Sequence, residues 1–267
     1  MYQRSQLVYS QFQTKQFNND HIAFRSAVSS DSVLPITIKA MQYIYPAIGL
    51  NAIQTEEYSY PDNGTLLLAP NTETTISRTI GSTDNIFVYS ASNLTKLDIS
   101  NFQPYEINIS NGKNLRELIL GKETGSYTFN PGTLNFAGCP MLEVLNIGGC
   151  QSETGIDLSD KNAIREIYAK NSKVTDIVLP NGGLLTTLHL PDSLTKLVLK
   201  NQSQLNDYTC QGYSHITYLD IGSPQVEVSK KLITGENAPT AAAHFHPSRQ
   251  PPISTGRYIG RSCTPPG

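Results

Sequence analysis

The sequence predicts a mainly β protein: a β-solenoid of about six coils, two short strands to the coil, preceded by a small β-sandwich-like module. Three observations predict it. Apolar residues recur about every eleven positions from residue 94 onward. Residues that favour tight turns follow each apolar set at a fixed offset. The stretch before residue 91 carries short β-branched or aromatic runs separated by turn clusters.

In each repeat an apolar anchor is followed by apolar residues three and five positions later. Leu94-Leu97-Ile99, Leu115-Leu118-Leu120, Leu142-Leu145-Ile147, Ile164-Ile167-Ala169 and Val174-Ile177-Leu179 are clear copies. Leu185-Leu188-Leu190, Leu194-Leu197-Leu199, Leu205-Tyr208-Cys210 and Ile216-Leu219-Ile221 continue them, and weaker copies start at Pro104, Pro131 and Glu153. Of the 36 positions in this template 33 are apolar, where a 38% apolar composition would supply about 14. Anchors stand 9 to 11 residues apart except for one gap of 16, which places an insertion at about Glu123 to Asn130.

Seven residues after the anchor, ten of the twelve units carry Asn, Asp or Gly, among them Asn101, Gly149, Asp160, Asn171 and Asp192. These residues tolerate a left-handed backbone or close a turn with a short polar side chain. Each unit therefore reads as a short strand and a tight turn. A helix is excluded because only a few residues remain after each turn. The third and fifth positions face inward and the fourth outward, since successive strand residues point to opposite sides. Two units make one coil of 20 to 22 residues, and stacking the coils buries a ladder of Leu and Ile that one coil alone would expose. A right-handed winding is expected.

These residues resemble bacterial leucine-rich repeats of the pattern L-x-x-L-x-(L/C)-x-x-N-x-L. The best match runs from Ile164 to Val174, with Ala169 in the small Leu/Cys position, which Cys210 occupies in its own unit. The asparagine usually falls one place early, which weakens a conventional asparagine ladder. Phrases such as YSASNLTKLDIS, AIREIYAKNSKVTDIVLPNGG and LTTLHLPDSLTKLVLKNQSQL, between about residues 88 and 222, are similar to the repeat tracts of large gut-bacteriophage (crAss-like) proteins. That resemblance implies a virion- or tail-associated protein of which this chain is a fragment. No catalytic residue is implied, because no matched motif is catalytic.

The chain divides into three parts. Residues 1–90 hold the runs His21–Val28, Leu34–Met41, Gly64–Ala69, Thr74–Ile80 and Asn85–Tyr89, read as antiparallel strands of a module that caps the solenoid. The first twenty residues read as a short helix or an irregular arm. Residues 91–232 are the solenoid. Residues 233–267 read as a disordered Pro/Ala-rich tail. From Gly235 to Gly267 there is no leucine and every basic residue is arginine, a change of usage that a reading-frame slip or assembly join would also leave.

Composition excludes several functions. A net charge of −2 gives no basic field for nucleic acid. No apolar run approaches the ~18 residues of a membrane helix; the longest, near Ala40 to Leu50, is broken by Gln42 and Pro46. No signal peptide is visible behind Met1. Four cysteines without a Cys-x-x-Cys pair make neither a disulfide scaffold nor a zinc knuckle. His244 and His246 lack further ligands nearby, and four Asn-x-Ser/Thr sequons fit chance in an Asn-rich repeat. No Ser/His/Asp arrangement or phosphate loop stands out, so no catalytic residue, cofactor or metal is nominated.

One surface is a candidate. The outward residues on alternate units are Asp98, Ile119, Asn146, Tyr168, His189 and Thr209, expected in line along one face. Tyr168 and His189 then stand one strand spacing (~4.8 Å) apart, with Asn146, Arg165, Glu166 and Thr187 around them. The same residues also read as an ordinary solvated strand face. On this surface the chain is expected to bind a protein or glycan on a bacterial surface, or other virion proteins, as a non-enzymatic recognition or structural module, on a virion or outside the cell. Its alternatives are a bacterial cell-surface or secreted leucine-rich-repeat protein, and a non-catalytic fragment of a larger enzyme.

Overall fold

The structure is a computed structural model that describes residues 20–28, 32–42, 48–50, 69–80, 85–199, 202, 204–205, 207–210, 215–220 and 244–245 of the 267. Five strands precede the repeats: β1 (His21–Ser26), β2 (Ser32–Ala40), β3 (Ile48–Leu50), β4 (Thr74–Ile80) and β5 (Asn85–Tyr89). Their alternating sequences give alternating burial. Ile22 and Phe24 of β1, Ile36 and Ile38 of β2, and Ile86 and Val88 of β5 point into the core. β3 was not among the expected strands; three residues after Pro46 carry too little pattern to show. The expected strand Gly64–Ala69, all but its last residue, and the first nineteen residues lie outside the described residues.

The repeats begin with β6 (Leu94–Asp98) and β7 (Pro104–Asn108). They continue as β8 (Glu117–Ile119), β9 (Val144–Asn146), β10 (Gly155–Asp157), β11 (Glu166–Tyr168) and β12 (Asp176–Val178). β13 (Thr187–Leu190), β14 (Lys196–Val198), β15 (Asp207–Cys210) and β16 (Tyr218–Asp220) complete them. The result is mainly β, as the sequence predicts: a β-solenoid of about five turns, together with further sheets. On its first face β6, β8, β9, β11, β13 and β15 stack in parallel. One rung aligns Leu97, Leu118, Leu145, Ile167 and Leu188, each at most 1% exposed. At roughly 1.5–3 kcal/mol for each buried aliphatic side chain, this ladder is the main stabilising term of the repeats. The second face stacks β10, β12, β14 and β16 in the same way, with Ile156, Ile177 and Leu197 in register.

The preceding strands do not form a separate body. β2 pairs antiparallel with β6, and β4 with β2, so the first face runs on into an eight-stranded sheet of order β15-β13-β11-β9-β8-β6-β2-β4. The edge of the first coil is thereby hydrogen-bonded rather than open. β1 and β5 form the antiparallel four-stranded sheet β3-β5-β1-β7. The Phe24 and Phe102 rings meet edge to face at 5.4 Å, and one apolar core extends from Ile22 to Ile216.

Two weak units depart from the expected coil. β7, from the Pro104 unit, leaves the solenoid to pair with β1; left-handed backbone at Gln103 (φ 46°) and Glu106 (φ 50°) bends it there. In the Pro131 unit Leu134 and Phe136 are buried as expected, but no strand forms after Gly132 (φ 72°). The ladder of the second face therefore starts at β10.

The expected turn column supplies left-handed backbone at two of its positions. Asn171 (φ 60°) and Gly149 (φ 77°) take the left-handed conformation; a Cβ on Gly149 would also lie 2.2 Å from the Tyr127 carbonyl. A different column, four residues after the anchor, closes the turns. Asp98, Asn108, Asn135, Asn146 and Asp157 each accept, through Oδ1, the backbone N–H two residues on, at 2.9–3.1 Å. Of the tail only β17 (His244–Phe245) is described, a parallel strand beside β16; the rest of residues 233–267 lies outside the described residues.

Candidate functional site

The candidate face is the outward side of the first sheet. Parallel pairing sets Asp98 beside Ile119, Ile119 beside Asn146, Asn146 beside Tyr168, Tyr168 beside His189, and His189 beside Thr209. Glu166 and Thr187 are paired in the same register, two positions earlier on their strands. Arg165 stands just before β11 with an exposed side chain, and its carbonyl accepts the Thr186 amide at 2.7 Å and the Thr187 amide at 3.1 Å.

Tyr168 and His189 are half-buried, and their rings meet edge to face at 5.0 Å and 89°. This geometry suits two aromatic quadrupoles. Tyr168 donates its hydroxyl proton to Glu166 Oε2 at 2.7 Å. The Asn146 side chain is turned to its own backbone, accepting from the Gly148 amide at 3.0 Å. Strand register thus brings together Asn146, Glu166, Tyr168, Thr187 and His189, while Arg165 flanks them.

The pattern of repeats does not reveal the residue that organises this face. Glu123, the first residue of the insertion, lies over it. Its Oε2 accepts a hydrogen bond from His189 Nδ1 at 2.6 Å, and its Oε1 accepts the Lys170 amide at 3.0 Å. Its carbonyl accepts Asn171 Nδ2 at 3.1 Å. The gap of 16 in the anchor spacing marks the insertion, but nothing in it says where the loop lands. Tyr127 holds the other end of the loop, donating to Leu120 O at 3.1 Å and making a short hydrogen bond to Ser100 O. Burial, with the charge of Asp98 second, raises the Tyr127 phenol well above its ordinary pKa of 10.

The arrangement presents an aromatic pair flanked by two carboxylates, Glu166 and Glu123, which is chemistry for hydrogen bonding and stacking. Among the described residues no group of three or more His, Cys, Asp or Glu side chains could hold a metal ion. No helix among them is long and apolar enough to cross a membrane. Fold and site define a class: a β-solenoid protein whose repeat face is roofed in part by its own insertion. Comparison of the chain with protein-family models, curated proteins and solved structures finds no match in any of the three.

Proposed function

We propose that this chain is a non-enzymatic recognition or structural module that binds protein or glycan through the repeat face around Tyr168 and His189. The reading takes the chain as a leucine-rich-repeat protein of a phage virion or tail, acting on a bacterial surface. The observation that carries it is the in-register column from Asp98 to Thr209, which presents Tyr168 and His189 side by side on a stiff sheet. Aromatic side chains held rigidly with polar neighbours supply contact area at little entropic cost.

The test uses the whole chain immobilised against outer-surface fractions of gut bacteria and against their purified surface polysaccharides. Wild type binds a component of these fractions, and Tyr168→Ala weakens that binding about tenfold or more, as loss of an aromatic anchor does. A component bound equally by wild type and Tyr168→Ala places recognition elsewhere, and no binding at all rejects the reading.

A further inference from the structure

A second feature stands on the other face of the solenoid. Thr133–Ala137 and β10 belong to successive coils and line one groove, but among the described residues no backbone hydrogen bond joins them. They separate where Gly132 turns the chain in the left-handed conformation, and the hydroxyl of Ser152 takes the Gly132 carbonyl in place of a ladder bond. Between them lies a groove of about 380 Å³. Leu134 and Phe136, both buried, line it with Asp157, Ser159, Asp160 and Lys161.

Among the described residues no strand pairs with the edge of β10 in this groove. In the parallel ladder to β12, Leu158 donates its amide to Val178 O at 2.8 Å and Thr154 O accepts the Thr175 amide at 3.4 Å. Alternation then turns the N–H and C=O groups of Ile156 toward β12 and those of Gly155 and Asp157 toward the groove. Both residues are exposed. Two donors and two acceptors are thus presented at strand spacing, as in edges that recruit a further strand. The same sheet is extended at its opposite edge, where β17 pairs with β16.

Charge decides what the added strand carries. Asp157 is exposed, and hydrogen bonds from the Ser159 hydroxyl and amide hold its carboxyl below the ordinary 3.8, so it is ionised at neutral pH. Asp160 is 69% exposed at its side chain, and it is fixed by an ion pair of 2.7 Å with Lys161, whose side chain is 1% exposed. Lys161 also lines the groove and offsets one of these charges, but Asp157 and Asp160 are both exposed, so the groove keeps a net negative charge toward a ligand.

We propose that this groove binds an extended polypeptide segment that pairs with the Gly155–Asp157 edge and places a lysine or arginine against Asp157 and Asp160. The occupant adds a strand beside β10. Its inward side chains meet Leu134 and Phe136, which favours apolar residues on either side of the basic one. This site is separate from the face around Tyr168, and either can fail without the other.

The experiment titrates the full chain with a pool of acetylated heptapeptide amides, lysine at the centre and Thr, Val or Ile elsewhere. A second pool has glutamate at the centre, and a third has the lysine pool N-methylated at alternate residues. Amide hydrogen exchange at Gly155 and Asp157 is followed by NMR, and a pool of neutral oligosaccharides serves as the competing ligand class. The lysine pool is expected to slow exchange at both amides, with the glutamate and N-methylated pools about tenfold weaker, the effect of one or two hydrogen bonds. Asp157→Asn, which keeps the turn to Ser159, should narrow the preference for lysine over glutamate several-fold. The proposal is overturned if no peptide pool protects these amides, or if N-methylation leaves affinity unchanged. It also fails if Asp157→Asn keeps the full lysine preference, or if oligosaccharides alone give the protection.

Discussion

Glu123 and His189 are 66 residues apart in sequence, yet the carboxylate meets the imidazole at 2.6 Å, with their side chains only 19% and 18% exposed. With the Lys170 and Asn171 contacts, one glutamate ties the insertion to two successive coils. Glu123→Ala is therefore expected to lower unfolding free energy by about 1–2 kcal/mol, the range of charge-assisted hydrogen bonds that are not fully buried. Denaturant unfolding measures the loss, and amide exchange at Lys170 should rise with it. In a double-mutant cycle with His189→Ala the two losses should be non-additive. Additive losses would mean the pair contributes nothing.

The same contact changes what substitutions on the candidate face report. The sequence alone suggests that Tyr168→Ala and His189→Ala both leave thermal stability nearly unchanged, as on a solvated strand. The hydroxyl of Tyr168 bonds Glu166, two residues away on its own strand, whereas His189 anchors the insertion from a distant part of the chain. Tyr168→Phe is expected to stay within about 0.5 kcal/mol of wild type, and His189→Ala to melt several degrees lower. Differential scanning calorimetry on the two variants separates them. Equal melting temperatures would show that the insertion is not held through His189.

Cys139 and Cys150 lie in the buried column at the end of their units and are both fully buried. Burial pushes the Cys139 thiol up to about 12, against a smaller opposing effect of Lys161, and the Cys150 thiol up to about 11. The thiolate is the reactive form, so both should resist alkylation at pH 8 in the native state and react once the chain unfolds. Peptide mapping after iodoacetamide treatment, with and without denaturant, reads each site separately. Native labelling at Cys150 would show that the insertion and Gly149 do not seal this end of the coil.

A backbone constraint gives a sharper stability test. Gly149 combines a positive φ with a Tyr127 carbonyl 2.2 Å from where a Cβ would sit, and neither can relax without moving the insertion. Gly149→Ala should destabilise by about 3 kcal/mol or more, beyond the ~1 kcal/mol of a strained left-handed alanine alone. Gly125, with nothing within 4 Å of a Cβ and no positive φ, serves as the control and should tolerate alanine.

How far the sequence could be read follows from which interactions are periodic. Leu97, Leu118, Leu145, Ile167 and Leu188 recur because every coil buries the same inward position, so the rung is legible in the sequence, and with it the alignment of Tyr168 beside His189. Pairing outside the period was not. The alternation of Ile36 and Ile38 calls for a strand, but does not tell β2 to join β6 rather than β1. The Pro131 unit keeps inward Leu134 and Phe136 while a single φ at Gly132 breaks its ladder, so an apolar template counts it as a coil that the hydrogen bonds do not complete. Glu123 was invisible for the same reason: an insertion is defined by falling outside the repeat. The polar column of Asp98, Asn135, Asn146 and Asp157 was open to view, but these residues alternate with apolar ones such as Ile119 and Val178 at the same offset, which disguised their shared turn-closing role.

The N-terminal sheet carries a pH dependence of definite sign. His21 opens β1 with its ring edge-on to Phe87 at 5.2 Å and to Tyr89 at 5.9 Å, and its buried Nδ1 has no hydrogen-bond partner among the described residues. Burial lowers its pKa from the ordinary 6.5, more than the Asp20 carboxylate raises it. In the unfolded chain the imidazole takes a proton as pH falls through 6.5, while the folded chain resists that proton until a lower pH. The unfolded state then binds more protons, so stability falls as pH falls through this window and is recovered above it. His21→Phe removes the titrating group while keeping a ring against Phe87 and Tyr89. Melting temperature measured from pH 7.5 to 5 should fall less steeply for His21→Phe than for wild type, and an NMR titration of wild type should place the His21 midpoint below 6.5. Parallel melting curves for the two proteins, or a midpoint at or above the ordinary value, would show that the imidazole is charged and solvated in the folded sheet.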